Sequence, residues 1–123
     1  LYRRSQEADN PYRDSLARIY HDHQAGRDTL FHGAPAVIVV LDRQPHGING
    51  ALAASRMELM ANALGLGVCF VGFFVQAVEN DPALRQLLQL DDACRVITTL
   101  AIGYPAVSYQ RTAPRKPAEV SWR

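Results

Sequence analysis

Met57-Glu58-Leu59-Met60-Ala61-Asn62-Ala63-Leu64-Gly65-Leu66-Gly67, running on into Val68-Cys69-Phe70-Val71-Gly72-Phe73-Phe74, is the stretch whose reading decides the fold. Its first half continues a helical segment predicted over Ile48 to Leu64, with Ala53, Met57, Met60, Ala61 and Leu64 marking its clearest apolar face. Only Arg56 and Glu58 are charged there, and a helix apolar over most of its circumference is buried inside a protein or at a subunit interface. Gly65 and Gly67 end it, since glycine takes the left-handed backbone that stops a helix. The second half predicts a strand or extended segment interrupted at Gly72, and a glycine inside such a run marks a bulge or a close approach of backbone to ligand.

Outward from this stretch the punctuation is clear. Upstream, Asn10-Pro11 predicts a helix start, with asparagine as cap and proline in the first turn. Leu16, Ile19, Tyr20 and His23 follow at helical spacing, and Gly26 is the stop. Ala34-Pro35 breaks the chain before Ala36-Val37-Ile38-Val39-Val40-Leu41, whose continuous β-branched character predicts a central strand buried on both faces. The loop Arg43 to Gly47 leads into the long helix. Downstream, Asp81-Pro82 starts a short helix with Leu84, Leu87 and Leu88 as its buried face. Val96 to Ile102 is the last strong strand, closed by Gly103-Tyr104-Pro105. The order helix, strand, long helix, strand, short helix, strand, tail gives α/β or α+β architecture.

The 123 residues suit one domain, predicted as a single and partial one over 1–123, with a loose N-terminus at 1–9 and an extended tail at 105–123. Hydrophobic residues at 48% and charged residues at 20% describe a globular chain. A net charge of +1 gives no reason to expect nucleic acid or a membrane as partner. No apolar run approaches the roughly 20 residues that cross a bilayer. Cys69 and Cys94 form no CxxC pair and are expected as buried free thiols of a reducing compartment, with a disulfide as the alternative. Because the sequence opens with Leu1, a missing N-terminal part is expected.

Four pieces in order carry a resemblance. Gly26-Arg27-Asp28 with Leu30-Phe31 and Ala34-Pro35 leads into a strand, and Met57 to Gly67 forms a helix-to-GLG turn. Cys69-Phe70-Val71-Gly72-Phe73 stands where a C-W-I-G-x segment is usual, and Ile102-Gly103-Tyr104-Pro105 is followed by Arg111 and Pro114-Arg115-Lys116-Pro117. Together, from about Asp28 to Trp122, they resemble the C-terminal half of FMN-dependent nitroreductase-family proteins, most of all the branch joined to ferredoxin-like modules. The resemblance implies an α+β fold, a three-layer arrangement with a central mixed sheet flanked by helices, here incomplete at the N-terminus. Arg3-Arg4-Ser5 imitates the family's N-terminal phosphate motif, but it lies only about thirty residues before Ala34-Pro35 and is not read as that motif.

The same resemblance implies FMN as cofactor, with Phe70, Val71, Gly72 and Phe73 near the N5 edge of the flavin ring and Arg115, then Lys116, on its phosphate. A forked guanidinium suits a phosphate dianion because it donates two parallel hydrogen bonds. The implied activity passes electrons from NAD(P)H or an iron–sulfur donor to a nitroaromatic, quinone or similar small acceptor, in a cytoplasmic homodimer. No side chain is required as general acid, so no catalytic residue is named. The alternative is a truncated, non-catalytic dimerisation module without flavin.

Other constellations are set aside. His21-Asp22-His23 with His32 invites a metal reading, but positions 21 and 23 of a helix point in different directions, so no metal site is expected. His46-Gly47 reads as turn chemistry, and Ser55 and Ser108 lack the context of a nucleophile.

Overall fold

The last strand holds the fold together. A computed structural model describes residues 10–43, 47–108, 110–111 and 114–122. In it, helix α1 (Arg13–Gln24) precedes strand β1 (Ala36–Asp42), and the long helix α2 (Ile48–Ala63) leads to strand β2 (Gly67–Phe70). Helices α3 (Gly72–Asn80) and α4 (Pro82–Leu87) then precede strand β3 (Arg95–Gly103). The strand order is β1-β3-β2, and both pairings are antiparallel. The fold is α+β, as expected.

Helix α2 lies on the sheet face that carries Val40, Leu100, Val68 and Ile102, where Ala54 completes the core cluster. Small residues allow this close approach. Gly50, Ala54 and Ala61 are the buried positions of α2. The helix begins beyond Gly47 in left-handed backbone (φ 61°), and the N–H of Gly50 donates to Asp42 Oδ2 at 3.2 Å, so the end of β1 supplies an acceptor to the first turn of the helix. Opposite Gly50, β3 carries a bulge: Val40 pairs with Thr98 and Leu41 with Val96, leaving Ile97 as the extra residue. A Cβ added at Gly50 would stand 2.8 Å from Ile97 Cγ1, so Ile97 occupies the space that glycine leaves.

At its far end α2 closes at Gly65, while Gly67 already opens β2. Leu66 N–H donates to Ala61 O and Gly65 N–H to Asn62 O, with Gly65 at φ 77°. Helix α4 starts on Asp81, whose carboxylate accepts the Ala83 N–H at 2.9 Å ahead of Pro82.

Five expectations are corrected. β1 is an edge strand, with Val37, Ile38 and Leu41 exposed, because β3 takes the middle of the sheet and nothing in the described residues covers the outer edge of β1. In α2 only Ala61 of the predicted face is buried; the large side chains point away from the sheet, with Met60 62% and Leu64 69% exposed. The first helix starts at Arg13, since Asn10 spends its side chain accepting the Tyr12 N–H in a preceding turn. Leu87 is exposed, since a helix as short as α4 turns only part of its face inward. Cys69 is an exposed free thiol near the end of β2, while Cys94 is buried. Of the four residues at helical spacing in the first helix, Leu16 and Ile19 are buried, Tyr20 is half-buried and His23 is exposed. The expected loose segment 1–9, Arg3-Arg4-Ser5 and His46 lie outside the described residues.

Candidate functional site

The segment after β2 folds differently from its prediction, and the difference builds the site. Phe70 ends the strand, the Val71 N–H donates to Thr99 O at 2.8 Å, and Gly72 then opens helix α3. Gly72, Phe73 and Phe74 are therefore helical rather than extended. The β-branched and aromatic residues read as strand formers, but the last pairing with β3 ends at Val71 and the chain turns into a helix instead. Gly72 is no bulge, and a Cβ added there would meet no atom of the described residues within 4 Å. Its bare Cα faces open space.

This strand-to-helix joint forms one wall of a pocket of about 390 Å³, with Cys69, Phe70, Val71, Gly72 and Phe73 lining it. That volume lies within the usual range of small-molecule sites. Helix α1 and the loop that follows it supply the other wall, through Tyr12, Arg18, Ile19, Thr29, Leu30 and His32. Two aromatic contacts fasten the walls together. Tyr12 meets Phe73 edge-on at 5.7 Å between ring centroids, and Phe31 meets Phe74 at 5.3 Å.

The loop wall is built by two carboxylates. Asp28 accepts the N–H groups of Phe31 (2.9 Å), Leu30 (3.1 Å) and Gly33 (3.1 Å), which fixes the turn containing the left-handed His32. The Phe31 hydrogen bond, more than the others, holds the Asp28 carboxyl below the usual aspartate range. Asp22 on α1 accepts from the Arg27 guanidinium and from Thr29 Oγ1 at 3.2 Å, and the Arg27 bond above all lowers its pKa. A second pocket of about 530 Å³, lined by Tyr20, His23, Arg27 and Phe31 among others, adjoins the first and shares Ile19, Thr29 and Leu30 with it.

The structure thus brings together Phe70, Val71, Gly72 and Phe73. Arg115 and Lys116 are exposed on the irregular tail and do not line the pocket. Sequence reasoning missed the opposite wall, because Tyr12 and Arg18 lie roughly fifty residues from the joint and only the folded chain places them there. His21, Asp22 and His23 remain on α1 without forming a group that could hold a metal among the described residues.

The chain as a whole has counterparts among known proteins. A family model described as the nitroreductase family matches residues 2–104. An FMN reductase (NADPH) of Bacillus subtilis (strain 168) is 32% identical over 72 residues, covering 58% of this chain and 27% of that protein. Among solved structures, a nitroreductase with bound FMN from Bacteroides fragilis NCTC 9343 superposes with a TM-score of 0.68 at 19% identity, over 96% of this chain and 64% of that one. An FMN-dependent nitroreductase from Clostridium difficile R20291 gives a TM-score of 0.59 at 20% identity, over 87% and 70%. The chain spans about a quarter of the curated relative's length and under two thirds of the Bacteroides structure's. With a family match across most of its length and the fold in agreement, this chain belongs to the nitroreductase family.

Proposed function

We propose that this chain is the flavin-holding part of an FMN-dependent oxidoreductase, passing electrons from NAD(P)H or an iron–sulfur donor to a nitroaromatic, quinone or similar acceptor. The observation that carries the reading is the joint itself: Phe70, Val71, Gly72 and Phe73 line one pocket, and Gly72 leaves its side of the backbone bare. A flat ring needs such a surface, with apolar side chains around it and no Cβ in the way. The residues present therefore fit the group. When bound, FMN supplies the hydride and electron chemistry, and the protein supplies position and environment. Phe70 and Phe73 pack about the ring and limit water. Arg115, with Lys116 beside it, holds the phosphate from the tail, where both side chains are exposed.

The chain works as a homodimer in this reading, in the cytoplasm. Helix α2 presents Leu52, Leu59, Met60 and Leu64 to solvent, a stripe too apolar for an isolated surface. Among the described residues no helix is long and apolar enough to cross a membrane. The exposed stripe also favours a second reading, a dimerising module that holds no flavin. The domain is proposed as a single, partial nitroreductase-like unit over 1–123.

A visible absorption spectrum of the purified chain, before and after FMN addition and gel filtration, separates the two. Flavin absorbance that co-elutes with protein is the expected result. A colourless protein would leave the non-catalytic module standing.

A further inference from the structure

The two walls of the pocket differ in charge. The joint and the helix that follows it contribute Cys69, Phe70, Val71, Gly72, Phe73 and Gln76, with no arginine, lysine or carboxylate among them. The α1 and loop wall contributes Arg18 and His32, and among the described residues no carboxylate lines either wall. Carboxylates do stand near this wall, but they are engaged elsewhere. Asp22, one helical turn beyond Arg18 and attracted to it, is bonded to Arg27 and Thr29. Asp28 is capped by three backbone N–H groups of its own loop. Asp14, one turn before Arg18, is exposed and lines no wall of the pocket. Arg18 thus brings a guanidinium to a pocket lined mainly by aromatic and aliphatic residues, with Thr29, His32 and Gln76 as its other polar members, and a guanidinium donates two parallel bonds to a carboxylate.

From this asymmetry we infer that the acceptor is an aromatic acid, whose ring lies in the pocket and whose carboxylate is held by Arg18, with His32 alongside. The inference rests on the proposed flavin reading for the word acceptor, but the anion preference itself belongs to the chain alone. With the joint wall given to the flavin ring, the charged wall faces the compound to be reduced. A neutral aromatic would gain the same apolar contacts and leave the guanidinium unsatisfied by anything but water. A cationic aromatic would meet like charge.

Calorimetric titration of the protein with 4-nitrobenzoate, 4-nitrotoluene and 4-nitrobenzylamine tests this, run both with FMN present and without. The expected order is 4-nitrobenzoate tightest, by about tenfold or more over 4-nitrotoluene, with the amine weakest. Arg18→Gln should bring the acid and the neutral compound to equal affinity, and Arg18→Lys should restore part of the gap. Arg18 is an exposed helix residue, so neither change removes core packing. Equal affinities in the unaltered protein would overturn the inference. It would also be overturned if Arg18→Gln weakened FMN but not riboflavin, because Arg18 would then serve the cofactor's phosphate. If the protein holds no FMN, the flavin reading fails by itself, and the same ranking measured on the flavin-free chain still decides whether the pocket prefers the acid.

Discussion

Replacing Gly50 by alanine sets two effects against each other, and the structure says which one wins. In a helix interior alanine is better than glycine by about 1 kcal/mol, so helix propensity alone makes the change stabilising. Gly50, however, is buried against β3, and its new Cβ would lie 2.8 Å from Ile97 Cγ1, 3.2 Å from Ile97 Cβ and 3.3 Å from Ile97 Cγ2. Ordinary carbon contacts sit near 3.5–4.0 Å. Since the crowded atoms include the branch point of the side chain, rotating its tip does not clear them, and strand or helix must shift. Overpacking of this kind costs roughly 1–3 kcal/mol. Set against the propensity gain, the net expectation is a loss of up to about 2 kcal/mol, which in a small domain lowers the melting temperature by several degrees. Thermal and urea unfolding followed by far-ultraviolet circular dichroism reads this directly. Repeating the substitution on an Ile97→Ala background removes the Cγ1 and Cγ2 contacts and leaves only the 3.2 Å approach to Cβ, so the cost of Gly50→Ala should shrink there, a coupling of about 1 kcal/mol between the two sites. A rise in stability for Gly50→Ala in the unaltered background would refute the reasoning.

Other outcomes follow from the same geometry. The Thr99 hydroxyl is fully buried with no hydrogen-bond partner among the described residues, so Thr99→Val should raise stability by about 1 kcal/mol in denaturant titration; a loss would mean that the hydroxyl is bonded. Asp22 and Asp28 both have lowered carboxyl pKa values, and a depressed folded-state pKa gives stability that is present above the unfolded value and lost as pH falls through the folded one. Melting temperature should therefore fall below about pH 4, and less steeply in Asp28→Asn, which should also start from a lower value at neutral pH because an amide cannot accept from all three N–H groups. Under the proposed function, Arg115→Ala should weaken FMN binding by about 1.5–3 kcal/mol in a flavin fluorescence titration; unchanged affinity would remove Arg115 from the phosphate site.

The order of elements was legible because its signals are local. Proline at Pro11, Pro35 and Pro82 and glycine at Gly26, Gly65 and Gly67 punctuate the chain close to where the elements change. What sequence reading missed depended on distance. The six β-branched or aliphatic residues of β1 imply burial on both faces, yet only Val40 is fully covered, since strand position is set by which partner takes the centre. In α2 hydrophobicity pointed to Met57, Met60 and Leu64, whereas packing selected Gly50 and Ala54, whose small size permits contact with the sheet. The sequence marks an interruption at Gly72 but not the start of a helix there, because Phe73 and Phe74 favour strands until the pairing with β3 runs out. Half of the pocket followed from one short segment. The charged half came from a helix that no local pattern links to it.

The placement of β3 between its two partners also fixes an order of events. Residues of β1 find theirs roughly fifty to sixty-five positions further along the chain, and those of β2 roughly thirty to thirty-five. No pair of the sheet can close until the segment ending at Gly103 has left the ribosome, so every strand made earlier waits unpaired. Loops of that span make closure slow relative to helix formation. The helices can therefore form first, around a sheet whose keystone is the last piece to arrive.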